Sequence, residues 1–155
     1  NPKLDKAFGE RFSTAIGGST GAKKYLGPEE ERERQDTFAQ QYYEAVRNRK
    51  HDASRIAKNT GWKESAIEEI RQHLFLREHD LDGGLRRFDP GYEEAMAWKR
   101  LLEGKDIRST DIVLLKHEYV ELTQMRLHGL KYEEAHAIAN RLHNWYNLLD
   151  EGGGK

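Results

Sequence analysis

Residues 114–136 read LLKHEYVELTQMRLHGLKYEEAH, and this stretch indicates the kind of fold to expect. Apolar residues recur in it at intervals of three and four, which is the spacing of an α-helix. Gly129 ends a first helix, since glycine favours the left-handed conformation that follows helix C-termini. A second helix begins near Tyr132. Because only a few residues join the two helices, we expect them to be antiparallel neighbours.

The first of these helices carries polar residues in an unusual place. On a helical wheel of residues 112–128, a broad apolar arc contains Ile112, Leu115, Tyr119, Leu122 and Met125. His117 and Glu121 fall on a separate stripe, one helical turn apart, so their side chains point the same way and can share one ion or one proton. Glu118 lies within the apolar arc. A carboxylate there has to find a partner, or loss of water raises its pKa.

A histidine of the second helix completes a candidate metal site. If the helices pack as expected, His136 faces His117 and Glu121, and the three residues form a ligand set for a divalent metal, Zn²⁺ or Mg²⁺, with one position open for water. Glu118 would act as the general base on that water. The pattern departs from the HExxH of zinc peptidases, since Glu121 stands in place of the second histidine. The alternative is a solvated helix edge, with His117 hydrogen-bonded across the helix pair.

A second polar cluster precedes this helix pair, around the loop EHDLDGGLRRFDPG at residues 78–91. Its candidates for catalysis and for substrate binding are His73, His79, Asp89, Arg86 and Arg87. The histidines and the aspartate would transfer protons, and the arginine pair suits a phosphate or a carboxylate. Asp89 has an alternative role as the N-cap of a helix whose first residue is Pro90.

The rest of the chain predicts further helices. Their expected termini are Pro28, Asp52, Gly61, Lys63, Arg77, Gly104, and Ser109 or Thr110, and the last helix is expected to run from Tyr132 to Asp150. No alternating strand pattern extends over more than a few residues. We therefore predict an all-α compact bundle of five to six helices at residues 28–150. A flexible Gly/Ser-rich arm at residues 1–27 and a disordered tail at residues 151–155 would flank it.

Residues 52–74 contain the spacing of a helix-turn-helix motif, with Ala57, Gly61 and Ile67 at the expected places. The second helix of that unit, however, carries the glutamates Glu64, Glu68 and Glu69. These carboxylates would face the phosphates of DNA, which is electrostatically unfavourable. We predict that the unit is used for packing and does not read DNA.

The composition excludes several classes of site. The chain has 155 residues, a net charge of −1 and no cysteine, so disulfides and thiolate metal sites are impossible. Its near-neutral charge argues against sequence-specific DNA binding. No apolar run approaches the roughly 20 residues of a membrane span. The chain begins with Asn-Pro and no methionine, which predicts excision from a longer polypeptide.

Several segments resemble a module found at the C-termini of phage head-morphogenesis (minor head) proteins and of some bacterial polymorphic toxins. These are HLFLREH, RRFDP, AWKRLLEG, LLKHE and EEAH…NW, within residues 66–146. The resemblance implies a toxic effector that is secreted or delivered into a target bacterial cell, acts in the cytoplasm and is neutralised by a cognate immunity protein. It points to His73, His79, Arg87, Asp89, His117, Glu118 and His136.

Three functions follow from these observations. The first is a hydrolase, with a nuclease favoured, in which histidines act as general acid and base and arginine holds the phosphodiester of a nucleic-acid substrate. The second is a zinc peptidase or amidase built on His117, Glu121 and His136. The third is a non-catalytic helical interaction or phage-assembly module, docking a partner through aromatic residues expected to be exposed, Tyr42, Tyr43, Trp98 and Trp145. Catalysis predicts that His117 and His136 converge, whereas an interaction module predicts that they are dispersed.

Overall fold

The computed structural model of the protein describes residues 27–150, with the side chain of the last of these left out. The predicted tail, and the predicted arm up to residue 26, lie outside the described residues. Within them the chain forms seven α-helices and one short hairpin, which confirms the all-α fold class. The elements are α1 (Pro28–Asn48), α2 (Asp52–Thr60), α3 (Glu64–Arg71) with a π-helical turn (Gln72–Leu76), β1 (His79–Leu81), β2 (Gly84–Arg86), α4 (Tyr92–Glu103), α5 (Ser109–His128), α6 (Tyr132–Leu142) and α7 (Trp145–Asp150).

Three helices end at the glycines that were predicted to end them. Gly61, Gly104 and Gly129 take φ angles of 81°, 71° and 66°, the left-handed conformation that closes α2, α4 and α5. Pro28 is the first residue of α1, also as predicted, and three glutamates in the first turn favour that end of the helix dipole.

The helix N-termini differ more from the predictions. The sequence pattern predicts Asp52 as the N-cap of α2, but the N-cap is His51 and Asp52 is the first helical residue. The carboxylate of Asp52 accepts hydrogen bonds from Arg49 and from Trp98. Neither Ser109 nor Thr110 caps α5. Its N-cap is Arg108, whose backbone N–H donates to the carboxylate of Asp111 at 2.9 Å.

The predicted Asp89-Pro90 helix start is also wrong. The helix α4 begins two residues later, with Gly91 as its N-cap. A Cβ at position 91 would overlap the carboxylate of Glu94, so a larger residue there would require this buried side chain to shift. The side chain of Asp89 instead accepts a hydrogen bond from Arg86 at 3.1 Å.

The core lies between α1, α2, α3, α4 and α5. Its largest side chains include Trp98, which is fully buried and donates from Nε1 to Asp52 at 2.9 Å. Tyr43 and Trp145 are also buried, and Tyr42 is partly buried. The expectation that these aromatic residues are exposed is therefore wrong. In a chain with 36% hydrophobic residues, the large rings supply much of the apolar area that the core needs.

The loop after the π turn contains a hairpin that the sequence did not predict as strands. β1 and β2 pair antiparallel, with His79 opposite Arg86. Gly83 and Gly84 have φ angles of 91° and 111° and allow the tight Asp-Gly-type connection. Strands of three residues are too short to produce a clear alternation of apolar and polar residues.

The last predicted helix is broken in two, at His143. This residue leaves the helical conformation, with φ −143° and ψ 83°, and α7 begins two residues later. The change in direction places Trp145 against Ala97 and Leu114 in the core. The long helix from Tyr132 to Asp150 is therefore two helices, because a straight one would not deliver this tryptophan to its site.

The helix pairs assemble as predicted. Glu121 of α5 contacts His136 of α6, and His117, one turn earlier, contacts His143 just beyond it, so the two helices run antiparallel. The helices α2 and α3 pack on each other as a two-helix unit. Between residues 27 and 150, no helix is long and apolar enough to cross a membrane, as the sequence predicted.

A buried ion pair between α4 and α5 gives the first testable prediction. Arg100 donates two hydrogen bonds of 2.9 Å to Asp111, and both side chains are buried. Asp111→Ala is expected to lower the free energy of unfolding by about 3–5 kcal/mol, because it leaves a buried guanidinium unpaired. The measurement is urea denaturation followed by circular dichroism.

The matched control is Glu103→Ala, which removes the exposed Lys99–Glu103 pair of α4. It is expected to cost less than about 1 kcal/mol, because water already solvates both charges. If both variants lose the same free energy of unfolding, the expectation that the buried pair matters more for stability than the exposed pair is contradicted.

Candidate metal centre

The carboxylate of Glu121 lies at the centre of a buried group of histidines. Its Oε1 is 2.8 Å from Nε2 of His73, its Oε2 is 2.7 Å from Nδ1 of His136, and Nε2 of His117 is 3.5 Å from the same Oε2. Burial alone would raise the pKa of Glu121, but the hydrogen bonds from the three histidines outweigh it and hold the pKa well below its usual range. Glu121 is therefore a negative charge inside the protein.

The three predicted metal ligands converge. One nitrogen or oxygen each from His117, Glu121 and His136 lies within 4.8 Å of the other two, and the two imidazole rings are 5.1 Å apart. His117 is 2% exposed, so the stripe faces the interior at His117 and Glu121, whereas His128 at its far end is exposed. The alternative of a solvated helix edge is therefore wrong about solvation and right that His117 is hydrogen-bonded across the helix pair, to the carbonyl oxygen of His143. The three ligands show the convergence that a catalytic or metal site requires.

The structure adds His73 to this group, so the two clusters separated in the sequence share Glu121. Nε2 of His73 is also 3.7 Å from Oε1 of Glu118. His73 lies in the π turn, where the consecutive residues His73, Leu74 and Phe75 are all buried.

Glu118 occupies the space between two of the histidines. Its Oε2 is 4.0 Å from Nε2 of His117, and its Oε1 has no hydrogen-bond partner among the described residues. Burial raises its pKa well above the usual range, and the charge of Glu121 adds to the rise. A desolvated carboxylate that accepts a proton readily is the property expected of a general base.

The backbone fixes the orientation of His117. Its Nδ1 donates to the carbonyl oxygen of His143 at 3.0 Å, which leaves Nε2 directed at the carboxylates. Burial acts to lower the pKa of His117, but the hydrogen bond to Glu121 and the charges of Glu118 and Glu121 raise it above the ordinary value. A histidine held through one nitrogen by a carbonyl is the usual arrangement around metal-binding imidazoles.

Asn140 can form a hydrogen bond with either tautomer of the His136 imidazole. Nδ2 of Asn140 lies 3.1 Å from Nε2 of His136, while Oδ1 of Asn140 is buried and has no hydrogen-bond partner among the described residues. If His136 binds an ion through Nδ1, its proton moves to Nε2. Rotation of the Asn140 amide by a half-turn then presents the oxygen as acceptor, so both forms of the ring are satisfied.

His79 belongs to a supporting layer. Its Nε2 donates to the backbone oxygen of His73 at 2.8 Å, and its ring stacks on Phe88 with centroids 4.2 Å apart. Burial lowers the pKa of His79, which favours the neutral ring. This predicted catalytic residue therefore positions His73 through the backbone.

The arginine pair and Asp89 lie outside the cluster. Arg86 donates to the backbone oxygen of Asp82 and to Asp89, and Arg87 donates to the backbone oxygen of Leu76. The side chain of Asp89 is 86% exposed. These hydrogen bonds lie within and beside the hairpin. Arg86, Arg87 and Asp89 do not contact the buried carboxylates of Glu118 and Glu121.

Four residues that support the site are not among the predicted site residues, although Asn140 lies with His136 on the polar border of its helix. Asn140 and Tyr132 flank His136 at one helical turn, and the ring of Tyr132 stacks on the imidazole at 5.2 Å. Glu94 of α4 is buried, which raises its pKa, and accepts a hydrogen bond from Tyr146 at 2.5 Å. The spacing of Tyr132 and Asn140 from His136 is visible in the sequence, whereas the approach of Glu94 and Tyr146 depends on tertiary packing.

A groove of about 290 Å³ lies beside the cluster. Phe88 and Tyr132 line it, and both also contact histidines of the site. The side chain of His136 is 29% exposed, against 2% or 3% for those of His117, Glu121 and His73, so solvent reaches the cluster past His136. The charged residues of the groove are Asp80, Asp82, Asp89, Glu133 and Arg86.

No protein-family model, curated protein or solved structure matches the chain. The resemblance to toxin modules therefore stays an expectation, and the function has to be inferred from the chemistry of the site.

The buried carboxylate of Glu118 gives a second prediction. In the presence of a chelator, Glu118→Gln is expected to raise the melting temperature at pH 8. Because folding raises the pKa of Glu118, its ionised form destabilises the folded protein at any pH above the ordinary glutamate pKa. The uncharged amide of glutamine removes this destabilisation. The gain should shrink as the pH falls toward about 4, because the carboxyl group of the unfolded chain is then mostly protonated as well. Thermal melts across this pH range measure it.

Glu103→Gln is the control, since Glu103 is exposed on α4 and its change should leave the melting temperature nearly constant at every pH. The measured quantity is the melting temperature of Glu118→Gln minus that of the parent. If this difference is smaller at pH 8 than at pH 4, the upward pKa shift assigned to Glu118 is contradicted.

Proposed function

We propose that this domain is a metal-dependent hydrolase. The observation that carries the proposal is the convergence of His117, Glu121 and His136 in one buried cluster, with Glu118 beside them. Two imidazoles and one carboxylate form the ligand set of a zinc-type catalytic site, which keeps a further position for water. The chain has no cysteine, so such oxygen and nitrogen ligands are the ones available.

The charges of the cluster support a bound cation. Glu94, Glu118 and Glu121 are all buried, and each of the first two has an oxygen without a hydrogen-bond partner among the described residues. Several buried carboxylates are costly unless cations neutralise them. A divalent ion supplies that charge and acidifies a bound water. Glu118 is placed to take the proton of that water, and its desolvation gives it the basicity for the task.

The substrate class is the finer part of the proposal, and an amide bond is better supported than a phosphodiester. The groove beside His136 carries four carboxylates against one guanidinium, and the chain as a whole has a net charge of −1. Such a surface repels a polyanion. Arg86 is already engaged with Asp89 and with the hairpin backbone.

A nuclease remains the second candidate. Arg87 is exposed and adjoins Phe88, whose ring lies 5.4 Å from that of His73, so a cation is present on this side of the site. The third function, docking through aromatic residues, has less support because Tyr43, Trp98 and Trp145 are buried in the core.

The toxin-like resemblance supplies the proposed setting for this chemistry. The domain would be an effector delivered into a bacterial cell, where hydrolysis in the cytoplasm arrests growth until a cognate immunity protein covers the site. We assign the inhibitor to the groove lined by Phe88 and Tyr132, since the ring of Tyr132 stacks on His136, the partly exposed histidine of the cluster.

The third prediction tests the metal and the toxicity together. The purified protein is expected to hold a stoichiometric divalent metal, and a His117→Ala/Glu121→Ala variant is expected to lose it, because two of the three ligands are gone. Elemental analysis by mass spectrometry measures the metal, and growth of expressing cells is followed in parallel. Growth arrest by the parent and not by the variant supports a hydrolase; a metal-free parent that leaves growth unaffected would contradict the proposal.

The fourth prediction concerns the base. Glu118→Gln is expected to retain the ion held by His117, Glu121 and His136 while turnover falls about 10²–10⁴-fold, the usual contribution of a general base. Labelled casein, total bacterial RNA and plasmid DNA serve as parallel substrates. Cleavage of casein alone supports the amide hydrolase, and cleavage of nucleic acid alone supports the nuclease. Full activity of the Glu118→Gln protein on the cleaved substrate would contradict the role of Glu118.

A further inference from the structure

The two oxygens of Glu121 point to different sets of partners. Its Oε1 faces His73 at 2.8 Å, whereas its Oε2 faces His136 at 2.7 Å and His117 at 3.5 Å. A carboxylate whose oxygens serve two separate groups of ligands has the geometry of a bridge between two ions. The proposed hydrolase site uses only the Oε2 side.

The two oxygens of Glu118 also face different histidines. Its Oε1 is 3.7 Å from Nε2 of His73, and its Oε2 is 4.0 Å from Nε2 of His117. The Oε1 atom is buried and has no hydrogen-bond partner among the described residues. Buried acceptors in native proteins are normally satisfied, so this oxygen indicates a ligand on the His73 side.

We propose that the site binds two divalent metal ions, the second held by His73, Glu118 and Glu121. One ligand atom from each of these residues lies within 4.8 Å of the other two, and all three side chains are buried. This inference rests on the proposed function, because Glu121 is shared with the first ion, and it extends that function to a two-metal hydrolase.

A cation on the His73 side would meet two buried carboxylates. Glu118 and Glu121 lie 3.7 Å and 2.8 Å from Nε2 of His73, and Oε1 of Glu118 has no hydrogen-bond partner among the described residues. The donor set on the His73 side, one nitrogen and two carboxylates, suits Mn²⁺ as well as Zn²⁺.

The second ion gives Glu118 two tasks, and the first affects the second, because a cation bound at one oxygen lowers the pKa of the carboxyl group and offsets part of the basicity that desolvation supplies. Its Oε1 binds the second ion, and its Oε2 stays directed at His117, where it can accept the proton of the water on the first ion. In two-metal hydrolases the ions stabilise both the attacking and the leaving oxygen. His79 then positions a ligand, since it holds the backbone of His73.

The test is metal stoichiometry combined with electron paramagnetic resonance. The full chain is stripped with a chelator, reloaded with Mn²⁺ and freed of excess ion. Two ions per chain are expected, with the multiline spectrum of an exchange-coupled pair, because a shared carboxylate couples the two spins. His73→Gln should hold one ion with the six-line spectrum of isolated Mn²⁺, and Glu121→Gln should hold none.

His128→Gln is the matched control, since His128 is an exposed histidine of the same helix and its loss should leave two coupled ions. Circular dichroism checks that each variant is folded. If His73→Gln does not fold, the stoichiometry and coupling in the unaltered protein still decide the matter.

The outcomes separate the two proposals. One ion per chain in the unaltered protein, or two ions without coupling, overturns the second site and leaves the hydrolase proposal standing. No bound ion overturns both. A His73→Gln protein that is folded and still holds a coupled pair overturns the assignment of His73.

Discussion

The negative charge of Glu121 constrains the whole helical assembly. A carboxylate that is 2% exposed has to be compensated inside the protein, and three imidazoles from different segments do so. His73 comes from the π turn after α3, His117 from the same helix as Glu121, and His136 from α6. The register of these segments is therefore set by hydrogen bonds of defined length as well as by apolar packing, which fixes side-chain positions more narrowly than hydrophobic contact does.

Two carboxyl groups of the cluster, those of Glu118 and Glu94, oppose folding when no ion is bound. Glu118 has its pKa raised by burial and by Glu121, and Glu94 has its pKa raised by burial. Such groups destabilise a chain at neutral pH, and proteins retain them where the chemistry needs them. The Trp98–Asp52 hydrogen bond and the Arg100–Asp111 pair lie elsewhere in the fold and offset that destabilisation. A bound ion would also stabilise the folded state, because the unfolded chain offers no preformed site.

The sequence predicted the features that depend on neighbouring residues. Glycines 61, 104 and 129 ended helices as expected, and the short connection after Gly129 predicted that His136 meets Glu121. It did not predict contacts between distant segments. His73 contacts Glu121 across a separation of 48 residues, and the π turn in which His73 lies leaves no distinctive pattern in the sequence. The break before α7 was missed because Arg141, Leu142 and His143 are compatible with a helix, and tertiary packing of Trp145 decides otherwise.

The helix break at His143 ties the end of the chain to the chemistry of the cluster. The carbonyl oxygen of His143 accepts from the backbone N–H of Trp145 at 2.9 Å and from Nδ1 of His117 at 3.0 Å, so one atom joins the start of the last helix to the orientation of His117. If the proposed ion binds Nε2 of His117, its binding and the docking of α7 would be thermodynamically linked, and such coupling is reciprocal. Detachment of α7 would then weaken ion binding, and ion binding would strengthen the docking of α7.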